Sequence, residues 1–168
     1  MKKFFVSLFM MLVIAVVLCF IPIRSAVVFY PERSRDLLAF AVLQSAQQFH
    51  IQYTHSIHLS PVFETYEKTT ANEIRQVELI YEDLAIGMPS DAGEGETFVQ
   101  EDGRYYIKNM NRIFPYIYLR VGEVKANHSF IIEEKVIPMT TFTEPGSVIK
   151  IQIEKLSVFD QWRGVNLK

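Results

Sequence analysis

The segment His-Ser-Ile-His-Leu-Ser-Pro-Val-Phe-Glu-Thr-Tyr, from His55 to Tyr66, gathers two of the chain's four histidines, two serines and a carboxylate. His55, His58 and Glu64 carry the donor atoms of a zinc site. Residues three apart on a continuous strand point to opposite faces. The two imidazoles can therefore share a metal only if the chain turns at Ile57–Ser60, and a further ligand must come from elsewhere. Ser56 beside His55 suggests a nucleophile and its base. Adjacent strand side chains diverge, however, and no Gly-x-Ser-x-Gly elbow exposes a serine, so hydrolytic chemistry is disfavoured. Glu64 lies between Val62 and Tyr66 on one face of an alternating stretch. If that face is buried, the carboxylate needs a partner; His55 across a hairpin or Arg120 would serve. A core ion pair is the plainer expectation and a ligand-binding role the sharper one.

A second candidate is the glycine-rich acidic stretch Gly87 to Glu96. Asp91, Glu94 and Glu96 could gather around calcium, although the spacing is not that of an EF-hand loop. A solvated loop is the plainer reading, and long loops on a rigid sheet are where binding commonly occurs. Trp162, the one tryptophan, would serve either as an interfacial membrane contact or as the closing edge of a core.

These residues must be positioned by strands. Leu38, Phe40 and Val42 alternate in Asp36–Leu43, which favours a strand over a short helix that could run on through Ala46 to Gln48. Period-two alternation then recurs through Phe49–Tyr53, Val62–Glu67 and Val77–Tyr81. Asp102-Gly103 joins Thr97–Glu101 to Arg104–Asn109 as a tight hairpin, because Asp-Gly supplies the positive φ angles such a turn requires. Ile117–Val121, Phe130–Ile132 and, after the Pro145-Gly146 turn, Ile149–Ile153 complete the series. The pattern predicts a mostly β domain of eight to ten strands, an antiparallel sandwich or open barrel.

Residues 4–23 contain no charge and are long enough to cross a bilayer as a helix. Lys2 and Lys3 precede them and Arg24 follows. A cleaved signal needs a shorter apolar run and small residues before the cut, where this chain has Arg24; a lipoprotein needs a small residue before the cysteine, where it has Leu18. An uncleaved anchor fits best. The sequence thus divides into an anchor (1–24), a linker (25–36) and a β domain (37–168), single-pass in the cytoplasmic membrane with the domain outside. Cys19, the sole cysteine, lies in the anchor, so the domain has no disulfide or thiolate metal site. Setting aside Lys2, Lys3 and Arg24 from the 17 Lys and Arg leaves 14 against 19 Asp and Glu, a formal charge of −5 for the rest. That sign disfavours a nucleic-acid partner.

The blocks YTHSIHLSPVFETY, YEDLAIGMP, GEGETF and YLRVG resemble the bacterial domain of unknown function 1850 family over roughly residues 37–155. The matching positions are His55, Ser56, Pro61, Glu64, Gly87, Pro89, Gly95 and Glu96; His58 and the strongly apolar anchor are additions. The resemblance implies a short protein with a hydrophobic leader, often encoded beside TRAP transporters of the TAXI class, and brings no catalytic role and no cofactor. The expectation is a non-enzymatic accessory or binding module, with a transporter or its solute-binding protein as partner. His55, Ser56, Glu64, Gly95 and Glu96 are the candidate binding residues, and His55, His58, Asp91 and Glu94 weaker metal candidates. The alternative is a metal- or ligand-binding protein or enzyme built on the His55/Glu64 region.

Overall fold

The computed structural model describes residues 2–45, 47–84, 87–123 and 126–168; Ala46 of the alternative helix, and Ala85 and Ile86 of the YEDLAIGMP block, fall outside them. The chain opens with α1 (Lys2–Cys19), none of whose residues is buried. Its 18 residues rise about 27 Å at 1.5 Å each, close to the thickness of a bilayer's hydrocarbon core. This is the form of a single-pass membrane anchor, and a signal sequence has the same form.

Thirteen strands follow among the described residues, more than the eight to ten expected. They are β1 (Arg24–Pro31), β2 (Ala39–Val42), β3 (Gln48–Thr54), β4 (Pro61–Lys68), β5 (Ile74–Tyr81), β6 (Thr97–Glu101) and β7 (Arg104–Lys108). Then come β8 (Arg112–Phe114), β9 (Ile117–Arg120), β10 (Ser129–Ile132), β11 (Lys135–Pro138) and β12 (Val148–Leu156). A short helix, α2 (Val158–Gln161), and β13 (Val165–Asn166) end the described chain.

Two sheets form. The first has the order β13-β2-β1-β12-β9, and the second β11-β10-β3-β4-β5-β7-β6 with β8 also beside β5. The pairings are antiparallel except for β13 on β2. Val27, Phe29, Ile149 and Ile151 of the first sheet pack against Phe49, Ile51, Phe130 and Ile132 of the second, so the domain is a β-sandwich. A satellite cluster of Val62, Leu79, Tyr81 and Ile107 continues the second sheet's inner face. The Asp102-Gly103 hairpin forms as expected, with φ of 51° and 76° at the two residues.

The expected linker over residues 25–36 is corrected. Ala26, Val27, Val28 and Phe29 are fully buried in β1, between β2 and β12. Val27 and Phe29 face the core between the sheets; Ala26 and Val28 face a smaller cluster with Leu37, Phe40 and Leu156. A strand buried on both faces has no apolar–polar alternation to read, and this one directly follows an apolar segment. Residues 32–38 alone connect β1 to β2.

Candidate functional site

The His55 segment is the tip of the β3–β4 hairpin. Thr54 pairs with Pro61, the His55 N–H donates to the Ser60 carbonyl at 2.8 Å and the Leu59 N–H to the His55 carbonyl at 3.0 Å. Leu59, at φ 57°, takes the left-handed conformation that closes the turn. The chain therefore does turn at Ile57–Ser60, and it brings the His55 and His58 rings to 5.8 Å between centroids. Ser56 is exposed beside them. Among the described residues no group of three His, Cys, Asp or Glu side chains gathers as metal ligands.

Glu64 is not part of that turn. It pairs with Ile51, four residues from His55, or about 13 Å along the strand. On β5 its neighbour is Leu79, so it occupies the inner face at the seam between the main core and the satellite cluster. Burial pushes its carboxyl up from the ordinary range, against the smaller opposing effect of the Tyr66 hydroxyl, which donates to Oε2 at 2.8 Å. The anticipated partners are corrected: Tyr66 holds the carboxylate, while Arg120 is exposed and donates to the Gly146 carbonyl at 2.9 Å. Tyr53, alongside, has its phenol pushed up to about 12 by burial and by the Glu64 charge. His128 stacks on Tyr53 at 5.2 Å and accepts the Gly122 N–H through Nδ1 at 3.1 Å. Burial lowers its pKa.

The acidic loop is organised around Glu96. Arg112 donates to both carboxylate oxygens, at 2.8 and 2.9 Å, and the Gly93 N–H donates to Oε2 at 2.9 Å. The hydrogen bond from Arg112 is the main reason the Glu96 carboxyl titrates low. Gly95, at φ 80°, permits the turn in which the Glu96 N–H reaches the Gly93 carbonyl. Asp91 and Glu94 remain exposed. Glu96 is thus spent on Arg112, and a calcium site loses one of its three proposed carboxylates.

A site that pattern reading missed lies on the other face of the second sheet. Thr65 pairs with Glu78 but Tyr66 with Gln76, so Val77 is an extra residue on β5. Such bulges re-aim side chains and interrupt pairing. Here β5 exchanges its partner: Leu79–Tyr81 pair with β7 and Ile74–Gln76 with β8. Asn109, Met110 and Asn111 cross between the two, with the Met110 N–H on the Val77 carbonyl at 3.0 Å. The result is an open cleft of about 600 Å³ lined by Thr65, Glu67, Arg75, Glu78, Lys108 and Asn111, among others. Arg75 is paired with Glu67, and its buried Nε has no hydrogen-bond partner. His50 Nδ1 lies 3.0 Å from the Thr65 hydroxyl, with its pKa lowered by burial despite the nearby Glu78. The readable trace was a phase break: Ile74 and Gln76 are buried, then Leu79 and Tyr81, which one uninterrupted alternation cannot give.

Residues 49–139 match the family model described as a domain of unknown function, DUF1850, a narrower span than the 37–155 of the resemblance. It takes in nearly all of the second sheet, the His55 turn, Glu64, the acidic loop and the cleft, and leaves out β1, β2 and β12 of the first. No curated protein and no solved structure matches the chain. With more than half its length matched, including the candidate residues from His55 to Glu96, the chain belongs to the DUF1850 domain family.

Proposed function

We propose that this chain is a membrane-anchored, non-enzymatic binding module. Its β domain stands on the outer side of a bacterial cytoplasmic membrane and serves a TRAP-type solute transporter by contacting the transporter or its solute-binding protein. The observation that carries this reading is the cleft at the β5 bulge. It is a polar recess on the sheet face turned away from the core, lined by both signs of charge, and polar surfaces of this sort suit reversible protein contact. The groups best suited to chemistry are instead engaged in holding the fold: Glu64 by Tyr66, Glu96 by Arg112. The transporter as partner comes from what the family resemblance implies.

The test is a photo-crosslinking residue at Asn109, activated in intact cells, with protease accessibility of the domain in spheroplasts measured in parallel. Recovery of a transporter subunit or solute-binding protein, together with digestion before lysis, supports the proposal. Protection until lysis, or a product containing no transport component, overturns it.

A second reading, a metal- or ligand-binding protein, has one observation in its favour: the His55 and His58 rings sit together on an exposed turn. Two imidazoles bind zinc weakly without further ligands. Zinc titration of the protein against a His55→Ala, His58→Ala variant decides it; equal binding by both removes this reading.

A further inference from the structure

After Cys19, only Phe20–Ile23 separate α1 from β1. The domain therefore begins where the apolar helix ends, with no tether to carry it away. What sits at that junction is α2. The Phe20 and Phe159 rings lie 4.8 Å apart. Val16, Cys19 and Phe20 from α1 and its end enclose an apolar recess of about 210 Å³ with Val158, Phe159 and Trp162.

The short helix is built to present those three residues outward. Ser157, 2% exposed, accepts the Asp160 N–H at 3.0 Å, and Asp160 accepts the Ser157 N–H at 2.9 Å. This reciprocal cap fixes the turn and spends its acidic residue on the backbone. Val158, Phe159 and Trp162 then share one helical face, with 43%, 44% and 84% of their surfaces exposed. An edge-closing core tryptophan would be covered; this one is the most exposed large apolar residue among the described residues.

We propose that Val158, Phe159 and Trp162 form a second membrane contact, seated in the interfacial layer of the bilayer beside the anchor and fixing the orientation of the β-sandwich on it. Continuity with α1 identifies the occupant. If α1 spans the bilayer, Val16 to Phe20 lie at the boundary between acyl chains and headgroups, and so does whatever packs on them. Apolar faces of interfacial helices bury about 5–10 Å into that layer, which is one helical turn or two. Tryptophan is enriched there, its ring apolar and its N–H able to meet water or headgroup oxygens. The charges agree: Arg24 and Lys155 lie on neighbouring positions, both exposed, suited to lipid phosphates, while Arg163 is shared with Asp36 at 4.0 Å. The inference rests on the anchored reading and extends it: the helix tethers the domain, and α2 sets its orientation.

Trp162 is the only tryptophan, so the full chain reports on this contact without labelling. The intact protein, its helix verified by mass, is placed in phospholipid nanodiscs. Its fluorescence is then measured with lipids brominated near the glycerol, with lipids brominated near the bilayer centre, and with aqueous iodide. The expected result is a blue-shifted emission, quenched more by the shallow bromines than by the deep ones and little by iodide. Val158→Asp with Phe159→Asp, both partly exposed and outside the core between the sheets, should abolish the bromine quenching and restore iodide quenching. Water-like emission insensitive to either lipid overturns the proposal, as does protection from bromine and iodide alike, which would mean that protein covers the ring. Failure of the anchored reading is seen separately, as loss of the native protein from membranes on alkaline extraction.

Discussion

The Tyr66 hydroxyl and the Glu64 carboxylate, two positions apart on one strand, hydrogen-bond at 2.8 Å on the inner face of the second sheet. The pairing places a carboxyl between Ile51 and Leu79 with a neutral donor as its main support. Burial raises the pKa of Glu64 in the folded chain. The folded state thus holds its proton to higher pH than the unfolded state, and the stability from Glu64 is present in full below the ordinary carboxyl pKa and is lost as pH rises through the raised value. Glu64→Gln keeps an acceptor for Tyr66 and removes the charge. It should stabilise the domain at neutral pH by on the order of 1 kcal/mol and leave it unchanged in acid. Urea unfolding across the pH range checks this; a variant less stable at neutral pH would show that the ionised carboxylate is needed.

His128 carries the opposite sign. Burial lowers its pKa, and that of His50, so the folded state resists protonation. Stability from these groups is present above the ordinary histidine value of 6.5 and is lost as pH falls through the folded-state values. His128→Phe keeps a ring over Tyr53 but leaves the Gly122 N–H without its acceptor. It should cost about 1–3 kcal/mol at neutral pH and flatten the acid-side slope, with His50 accounting for the slope that remains. An unaltered slope would count against burial of the His128 ring.

The tie between Arg112 and Glu96 should govern the acidic loop locally. Arg112 is partly solvated, so Arg112→Ala is expected to lower global stability by under roughly 1 kcal/mol. The same change should sharply increase protease cleavage between Gly87 and Gly95, the segment that Glu96 pins through Gly93. The protection depends on ionised Glu96, whose pKa is lowered, and so fades only as pH falls through that lowered value. Cleavage at an unchanged rate in the variant would show that the Tyr81 hydroxyl on the Pro89 carbonyl and the packing of Met88 hold the loop by themselves.

Much of this was legible in the chain, for reasons that residues make plain. Phe49, Ile51 and Tyr53 against Val62, Glu64 and Tyr66 form a strand pair whose inner face alternates cleanly, and the pair is there. The turns at Asp102-Gly103 and Pro145-Gly146 were readable because each needs φ angles that glycine adopts freely, and Gly146 sits at φ 80°. β1 was not legible, because Ala26–Phe29 are apolar on both faces and continue the hydrophobic leader. β8 and β13 are three and two residues long, too short to show a period. The partner of Glu64 was misjudged because a charged mate was sought, and a tyrosine on the same strand satisfied it. The cleft escaped because it is made by one inserted residue, Val77, which shifts the phase of β5 rather than adding a motif.

The central place of β1 leads to a test of where the domain begins. Phe29 is fully buried and meets Phe130 and Phe142 at ring separations of 5.1 Å. Phe29→Ala should cost about 3–5 kcal/mol, a large part of a typical domain's stability. A fragment starting at Arg24 should fold cooperatively in thermal unfolding, and one starting at Leu37 should not, since β2 and β12 would lose the strand between them. A folded Leu37 fragment would restore the linker to residues 25–36.

The cleft offers the most direct test of the binding role. Lys108 lies at its rim with Nζ 4.9 Å over the Tyr106 ring, and Asn111 is exposed beside it. Neither side chain supports the core, so Lys108→Glu and Asn111→Arg should leave the unfolding temperature near that of the parent. If the cleft receives a partner, reversing the charge of Lys108, or placing a new one at Asn111, should weaken association by tenfold or more, about 1.4 kcal/mol, read as lost crosslinking to the transport component in cells. Lys135→Glu is the control. It makes the same charge change on β11, at the far end of the second sheet's strand order from β7, and should leave crosslinking intact. Equal loss in Lys108→Glu and Lys135→Glu, with none in Asn111→Arg, would trace the effect to net charge, and no loss in any would move the partner's contact away from the bulge.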